Sequence, residues 1–329
     1  MSRLYLAILL ANTVSFAEVV VAQEPDGRPL LEIEITAPLI ETRWQESPSG
    51  VTLIDDKDIG GGRVPLQPTD ELRLAPGVLV QNRNNFAQNP RVSIRGFGAR
   101  APFGIRGVRV RLDGIPLTTV DGQAQVDAID PGSIQTIEVL RSANAVLHGN
   151  GSGGLLDYRS YSPRHKPMAK LETQLGGFGL RRLHGAFSQQ HDGSDDASWA
   201  YRGAATHLEQ DGYREQSAVE RRNVGLWLNH RQGSRDWFAV LNHLDNPLAE
   251  DPGGLTYEEV QSDPSQAAPL AKAMNAGQQV RQNIASLGLV QRYAGAREAA
   301  KYGAVAVIVR SLTLRKDDLP HTGSMSYGD

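Results

Sequence analysis

Residues 92–156 read VSIRGFGARAPFGIRGVRVRLDGIPLTTVDGQAQVDAIDPGSIQTIEVLRSANAVLHGNGSGGLL. Val108, Val110 and Leu112 alternate with Arg109, Arg111 and Asp113, the period-two pattern of a strand with one buried face. Asp113-Gly114 then supplies a turn. Asp130-Pro131 starts a short helical turn, because proline suits the first helical position and aspartate caps the free amides before it. The chain extends again from Thr136 to Leu140, and residues 142–148 form a second helical turn that Gly149 ends. Small alternating elements of this kind make an α+β domain.

Working outward, 329 residues set one or two domains, and 34 glycines with 18 prolines favour a turn-rich β architecture over a helical bundle. The net charge of −3 says little about partners. With no cysteine, a disulfide framework, a cysteine-rich metal site and a thiol nucleophile are all excluded. Arg3 precedes an apolar run from Leu4 to Leu10, with small residues before Gln23; residues 1–22 read as a secretory signal peptide, its apolar core too short to span a bilayer comfortably.

No later segment approaches a transmembrane helix, so any entry into a membrane must be made by β-strands. Residues 170–175 alternate. Trp199, Tyr201, Gly203 and Ala205 fall on one face of a strand, as do Val224, Leu226 and Leu228, and Trp237, Ala239 and Leu241 repeat the pattern. Turn clusters at 192–196 and 233–236 and a longer polar connection at 245–261 separate them. Alternating strands with aromatic ends fit an outer-membrane barrel wall, and a soluble antiparallel sheet shows the same alternation.

The spaced elements Arg95-Gly96-Phe97-Gly98, Asp113-Gly114-Ile115-Pro116 and Ile137-Glu138-Val139-Leu140-Arg141, followed by the glycines of 149–154, resemble the plug domain of TonB-dependent outer-membrane receptors. The resemblance implies an α+β plug over residues 31–161, followed by antiparallel strands of a transmembrane β-barrel over 165–282. Such barrels have on the order of 22 strands, and the residues after the plug suffice for about five or six. An incomplete wall is therefore expected. For an intact relative the implied activity is uptake of a ferric chelate without chemistry on it. The implied partners are the outer membrane and a TonB-type energy-transducing protein; no cofactor and no nucleic-acid partner are expected.

The resemblance also assigns residues. Leu31-Glu32-Ile33-Glu34-Ile35-Thr36-Ala37 resembles a TonB box, the extended segment gripped by the energy-transducing protein, and its alternation suits strand addition to a sheet edge; the other reading is the plug's own first strand. Arg95 and Arg141 match arginines that face acidic residues of the wall and hold the plug. The loops at 98–107, with Arg100 and Arg106, and at 117–126, with Asp121 and Gln123, match apical loops that meet ligand. Two arginines there suit an anionic ferric chelate, and Arg-Gly-Phe-Gly-Ala-Arg with residues 246–259 leans towards ferric-citrate receptors.

Past Gly295 the pattern changes to a short alanine-rich helix closed by Gly303 and an unbroken apolar strand at 304–309, a short α/β segment. Residues 291–329 resemble part of zinc exopeptidases of the carboxypeptidase Q type, which places a junction between 280 and 293. The eight histidines form no local ligand cluster, and the glycine run at 149–154 lacks a Gly-Lys-Ser/Thr, so neither metal nor phosphate chemistry is expected. Two alternatives stay open: an exopeptidase fragment joined to a receptor remnant, and a soluble plug-type binding module.

Overall fold

A computed structural model describes residues 17–20, 34–35, 42–43, 50–59, 65–81, 84–101, 104–119, 121–141, 151–163, 167–194 and 196–291. In chain order the first part contains β1 (Ala17–Val20), β2 (Glu34–Ile35), β3 (Thr42–Arg43), β4 (Val51–Ile54), a 3-10 turn (Asp70–Leu74), β5 (Val78–Gln81), β6 (Arg91–Ile94) and β7 (Ile105–Arg106). Then come β8 (Val108–Leu112), β9 (Ile115–Pro116), β10 (Gln123–Ala124), a 3-10 turn (Pro131–Ser133), β11 (Ile134–Leu140) and β12 (Gly154–Ser160). The second part is a wall of six long strands, β13 (Met168–Leu175), β14 (Arg181–Asp192), β15 (Ala197–Gln210), β16 (Val219–Gln232), β17 (Arg235–Glu250) and β18 (Gly277–Gln291), with short helices Tyr257–Ser262 and Pro269–Ala273 between the last two. No helix among the described residues is long and apolar enough to cross a membrane.

The plug is built on a five-stranded sheet, β4-β11-β12-β8-β9. Strand β8 buries Val108, Val110 and Leu112 as its alternation requires. Asp113 and Gly114 both take positive φ (51° and 81°), which lets Leu112 pair directly with Ile115 through a two-residue turn. Asp130 caps the turn Pro131–Ser133 by accepting from the Gly132 amide at 3.2 Å. Strand β12 then lies parallel to β8 and antiparallel to β11.

One face of this sheet carries the main core, in which Ile54, Leu72, Ile94, Ile105, Val110, Ile129, Val139, Leu156 and Tyr158 are all buried. Tyr158 is fully buried and donates to the Pro68 carbonyl at 3.0 Å; burial pushes its phenol above the usual range. A buried carboxylate also needs partners, and Asp157 receives Arg111 at two points (3.2 and 2.9 Å) and Arg159 at 2.9 Å.

The wall strands pair antiparallel with their sequence neighbours, and β1 adds to the free edge of β13. That pairing falls inside the segment read as a signal peptide. Short connections join β14 to β15 and, at residues 233–234, β16 to β17 at one end of the wall; residues 176–180, 211–218 and 251–276 make longer connections at the other.

Several expectations are corrected. The turn at 233–236 is shorter, because Arg235 already pairs with Gln232. The polar stretch from 245 does not leave the sheet. Asp245 stays in β17 because Arg281 (3.0 Å) and Arg222 (3.7 Å) neutralise it, and Pro247 sits where the pairing breaks between Asn246 and Ala249, so no ladder amide is lost. Strands β14 and β18 had not been singled out. Strand β18 pairs with β17 as far as Gln291, so the wall runs past 282 and through most of the proposed junction. The helical turn at 142–148 and the segment 292–329 lie outside the described residues.

The main core draws its buried residues from the plug alone, with Ile284 of β18 packed at its margin. The fragment 43–163 should therefore unfold cooperatively in urea, and Tyr158→Ala should cost it about 3–5 kcal/mol, in the range for losing a large buried aromatic.

Candidate functional site

The plug-facing side of the wall is joined to the plug through carboxylates on the plug and bases on the wall. Asp130, at the cap of the Pro131–Ser133 turn, accepts from Thr206 Oγ1 of β15 at 2.7 Å and lies 3.4 Å from His184 Nδ1 and 3.9 Å from Arg182 Nη2, both of β14. Thr206 and His184 also bond each other at 2.7 Å. Burial alone would raise the Asp130 pKa, but His184, Arg182 and Thr206 together outweigh it and hold the carboxyl well below the usual range. The plug turn can come this close because residue 132 is glycine. A β-carbon there would lie 2.1 Å from Arg182 Nη2 and 2.9 Å from the His184 ring.

Asp113, at the β8–β9 turn, meets Arg202 of β15 at 2.6 Å while accepting from the Ser160 amide and hydroxyl, both at 2.9 Å. Arg202 also donates to the Tyr161 carbonyl at 3.1 Å and stacks over Trp227. Arg221 of β16 donates to the Asp127 carbonyl, while burial raises the Asp127 carboxyl, only partly offset by Arg221. A crevice of about 60 Å³ between plug and wall is lined by Asp113, Asp130, Arg202 and Asn223. Towards the long-loop end, Leu66 and Phe86 of the plug pack on Leu180, Leu208 and Val219. Asp251, where β17 gives way to the long connection, accepts from Asn85 (2.8 Å) and Gln88 (2.8 Å) of the plug. Arg214 binds the carbonyls of Pro252, Gly253 and Gln266 and so fastens that connection to its neighbour.

Three of the four residues expected to face ligand come together. Gln123 pairs with Arg106 across β10 and β7, and the Arg106 guanidinium donates to Asp121 O (3.1 Å), Asp121 Oδ2 (3.3 Å) and Gln123 Oε1 (3.2 Å). Thr119, the Gln123 amide and then Arg106 hold the Asp121 carboxyl below its ordinary pKa, with burial opposing slightly. Arg106 is thus already matched by an acid. Arg100 is exposed on the neighbouring turn.

Arg95 and Arg141 do not reach the wall among the described residues. Arg141 donates to the Pro76 carbonyl (2.6 Å) and Thr52 Oγ1 (2.8 Å), and burial followed by the nearby Arg95 charge lowers its pKa. Gly50 and Gly77 pack against the Arg95 side chain, and the Arg95 and Arg141 amides donate to the Gly77 and Gly50 carbonyls, so both arginines are tied to the plug while Arg95 stays exposed. Of the candidate TonB box only Glu34 and Ile35 lie within the described residues, as β2 paired with β3; Leu31, Glu32, Ile33, Thr36 and Ala37 lie outside them.

The wall bases were missed because their role exists only across strands; the alternating interior positions of β14–β16 were the available signal. His207, Glu209 and Glu220 also gather across β15 and β16, with one ligand atom each inside 4.8 Å. His207 is already at 2.9 Å from Glu209, and Arg222 pairs with Glu220, so we assign no metal there.

Residues 43–155 match the TonB-dependent Receptor Plug Domain family. The chain is 25% identical over 208 residues to the ferrichrome outer membrane transporter/phage receptor of Escherichia coli (strain K12), covering 63% of this chain and 26% of that protein. It is 29% identical over 127 residues to the hemin receptor of Yersinia enterocolitica, covering 38% and 17%. The siderophore receptor PirA from Acinetobacter baumannii superposes with a TM-score of 0.54 at 16% identity, over 76% of this chain and 39% of that one. The chain thus spans about a quarter or less of the length of these curated relatives. The fold is a plug domain followed by an unclosed antiparallel sheet that resembles part of a receptor barrel, placed in the outer membrane, and the relatives are transporters and receptors, not enzymes. These comparisons support neither the ferric-citrate leaning nor the exopeptidase resemblance of residues 291–329.

Asp130 has a lowered pKa in the fold, so its pairing contributes fully above the ordinary carboxylate pKa near 4 and fades as pH falls through that value towards the folded one. Limited proteolysis of the plug in the folded chain should therefore be slow and flat from about pH 8 to 5 and rise below about pH 4. Asp130→Asn should raise the rate at neutral pH and flatten the acid limb.

Proposed function

We propose that this chain is the plug and adjoining wall of a TonB-coupled receptor that takes up an iron chelate. The observation that carries the reading is a plug with its own core, held against one face of a β-wall by a few charge-assisted contacts. Such a plug blocks a lumen at rest and can leave its seat without unfolding. The relatives named for ferrichrome and hemin support iron chelates as the ligand class.

The ligand-facing residues are Arg100, Arg106, Asp121 and Gln123. Because Asp121 neutralises Arg106, an anionic chelate must displace it to use the guanidinium, and Arg100 makes the first contact. The segment 31–37 serves as the docking strand for the energy-transducing protein, by adding to that partner's sheet edge. Arg95 and Arg141, close together and of like charge, do not meet β13–β18; any hold they exert on the plug is on acidic side chains of other wall strands. Coupling is by population: ligand at the loops favours release of the docking segment, and force on that segment then displaces the plug.

Two measurements test this. The periplasmic domain of a TonB protein should bind the folded chain, and Ile33→Pro should weaken binding at least tenfold by removing a ladder amide; equal affinity would return 31–37 to a structural strand. Titrated with hemin and with a ferric hydroxamate, Asp121→Asn should bind several-fold tighter than the parent and Arg106→Ala weaker. Unchanged affinities would remove this loop pair from the ligand site.

A further inference from the structure

The connections at the long-loop end of the wall are not three separate loops. The Phe178 carbonyl, in 176–180, accepts from the Asp211 (3.0 Å) and Gly212 (3.2 Å) amides of 211–218, and the Phe178 and Tyr213 rings meet edge to face at 5.5 Å. Residues 211–218 in turn hold 251–276. Besides the three carbonyls taken by Arg214, the Glu215 amide donates to the Ser265 carbonyl at 2.8 Å and the Glu215 carboxylate takes Lys272 Nζ at 2.7 Å. Gln216 Nε2 donates to the Ala276 carbonyl at 3.0 Å, and the Asp251 amide closes the base of 251–276 on the same carbonyl at 2.9 Å. The three connections therefore make one hydrogen-bonded cap rooted in β13–β18.

Asp251 is where this cap shares a carboxylate with the plug. Its Oδ1 accepts from Asn85 Nδ2 (2.8 Å) and from the Gly253 amide (2.9 Å), and its Oδ2 accepts from Gln88 Nε2 (2.8 Å). Burial pushes the carboxyl up, but the bonds from Gln88, Gly253 and Asn85, with the Arg214 charge, outweigh it and hold the group below its ordinary range. On the plug side Asn85 is buried, and its Oδ1 accepts from the Ala87 amide at 2.8 Å, which fixes the turn that presents Gln88. Past that turn the chain enters β6, where Arg91 Nη2 donates to the carbonyl of Ala99 at 3.4 Å, next to Arg100. The cap is thus tied to the plug at the turn leading to the ligand-facing loop. Gln88 is exposed, so water can take its place on Asp251, whereas the bonds within the cap are several and cooperative. Opening parts the cap from the plug before it breaks the cap itself.

We propose that Asp251 is a latch that closes the cap 251–276 against the tip of the plug, so that an iron chelate must release it to reach Arg100. A plug leaving its seat must break the same bonds, because Asp251 stays with the wall. The access role rests on the uptake reading given above; the latch itself does not.

The test is hydrogen–deuterium exchange of the full folded chain in detergent, read by mass spectrometry in peptides covering 84–90 and 251–256. The Ala87 amide reports on Asn85 and the Gly253 amide on Asp251. Each side should respond to a substitution on the other. Gln88→Ala lies outside the cap and should speed exchange at 251–256 at least threefold. Asp251→Ala lies outside the plug and should do the same at 84–90, with Asp251→Asn, which keeps one acceptor oxygen, falling between it and the parent. Lys272→Gln, at an exposed pair within the cap, should leave 84–90 unchanged. Stopped-flow mixing with hemin should show association at least threefold faster in Gln88→Ala than in the parent. Exchange that changes only on the substituted side overturns the latch. Equal association rates, with exchange changed on both sides, overturn its control of access. If the parent binds no hemin while both sides still respond, the uptake reading has failed and the access role with it, but the cap is latched to the plug.

Discussion

The contact on which the arrangement of plug and wall depends is the carboxylate of Asp130, buried where the Pro131–Ser133 turn meets β14 and β15. An isolated charge at that depth would be expelled or protonated. It stays ionised because a hydroxyl, an imidazole and a guanidinium converge on it from two neighbouring strands. The same atoms are bound from the plug side by the Gly132 amide and the Ser133 hydroxyl. The carboxylate therefore fixes the turn that begins β11 and the register at which the wall receives it. Removing either side would leave the other as an unpaired buried group, which is the costly case.

Much of the plug was legible because its elements are local. Asp113-Gly114 needs only two residues that accept positive φ, and Asp130-Pro131 needs only a cap and a proline, so short stretches suffice to read them. Wall strands with apolar residues on one face, such as β15 and β16, declared themselves by period. Strand β14 did not, because its outward apolar run is short: Leu183, Gly185 and Phe187 alternate with inward Arg182, His184 and Ser188 but are flanked by polar Arg181, Gln189 and His191. Strand β18 is similarly mixed, with Gln278, Gln282, Arg281 and Asn283 on its two faces. The polarity of the plug–wall contact could not be read at all. Arg95 and Arg141 stood out as charged residues in a strong motif, whereas Asp113 and Asp130 read as turn formers, and their wall partners lie many tens of residues away.

Two faces of the same strands thus answer to different surroundings. Inward positions of β14–β16 are selected singly, each base opposite one plug acid or carbonyl. Outward positions are selected by row, because a membrane is layered and acts on all strands at equal height. Gly203 shows both demands in one residue: an added β-carbon would lie 2.5 Å from Phe187 on the outward face, so the large outward aromatic is accommodated only because its neighbour has no side chain.

The distribution of buried apolar surface decides how the plug can move. Its own core closes on itself, with Ile54, Ile94, Val110, Val139, Leu156 and Tyr158 in one cluster. Among the described residues its apolar contact with the wall is small: Leu66 and Phe86 against Leu180, Leu208 and Val219, and Ile284 of β18 at the margin of the plug core. The remaining attachment is polar, and polar interfaces of this kind favour relative motion. Water entering the crevice beside Asp113 and Asp130 can rehydrate those carboxylates, which lowers the cost of separating them from their bases. No solvent can replace the burial of the plug's own core. Displacement as a folded body from β14–β16 therefore costs less than unravelling, and the salt-bridged wall face is where separation starts.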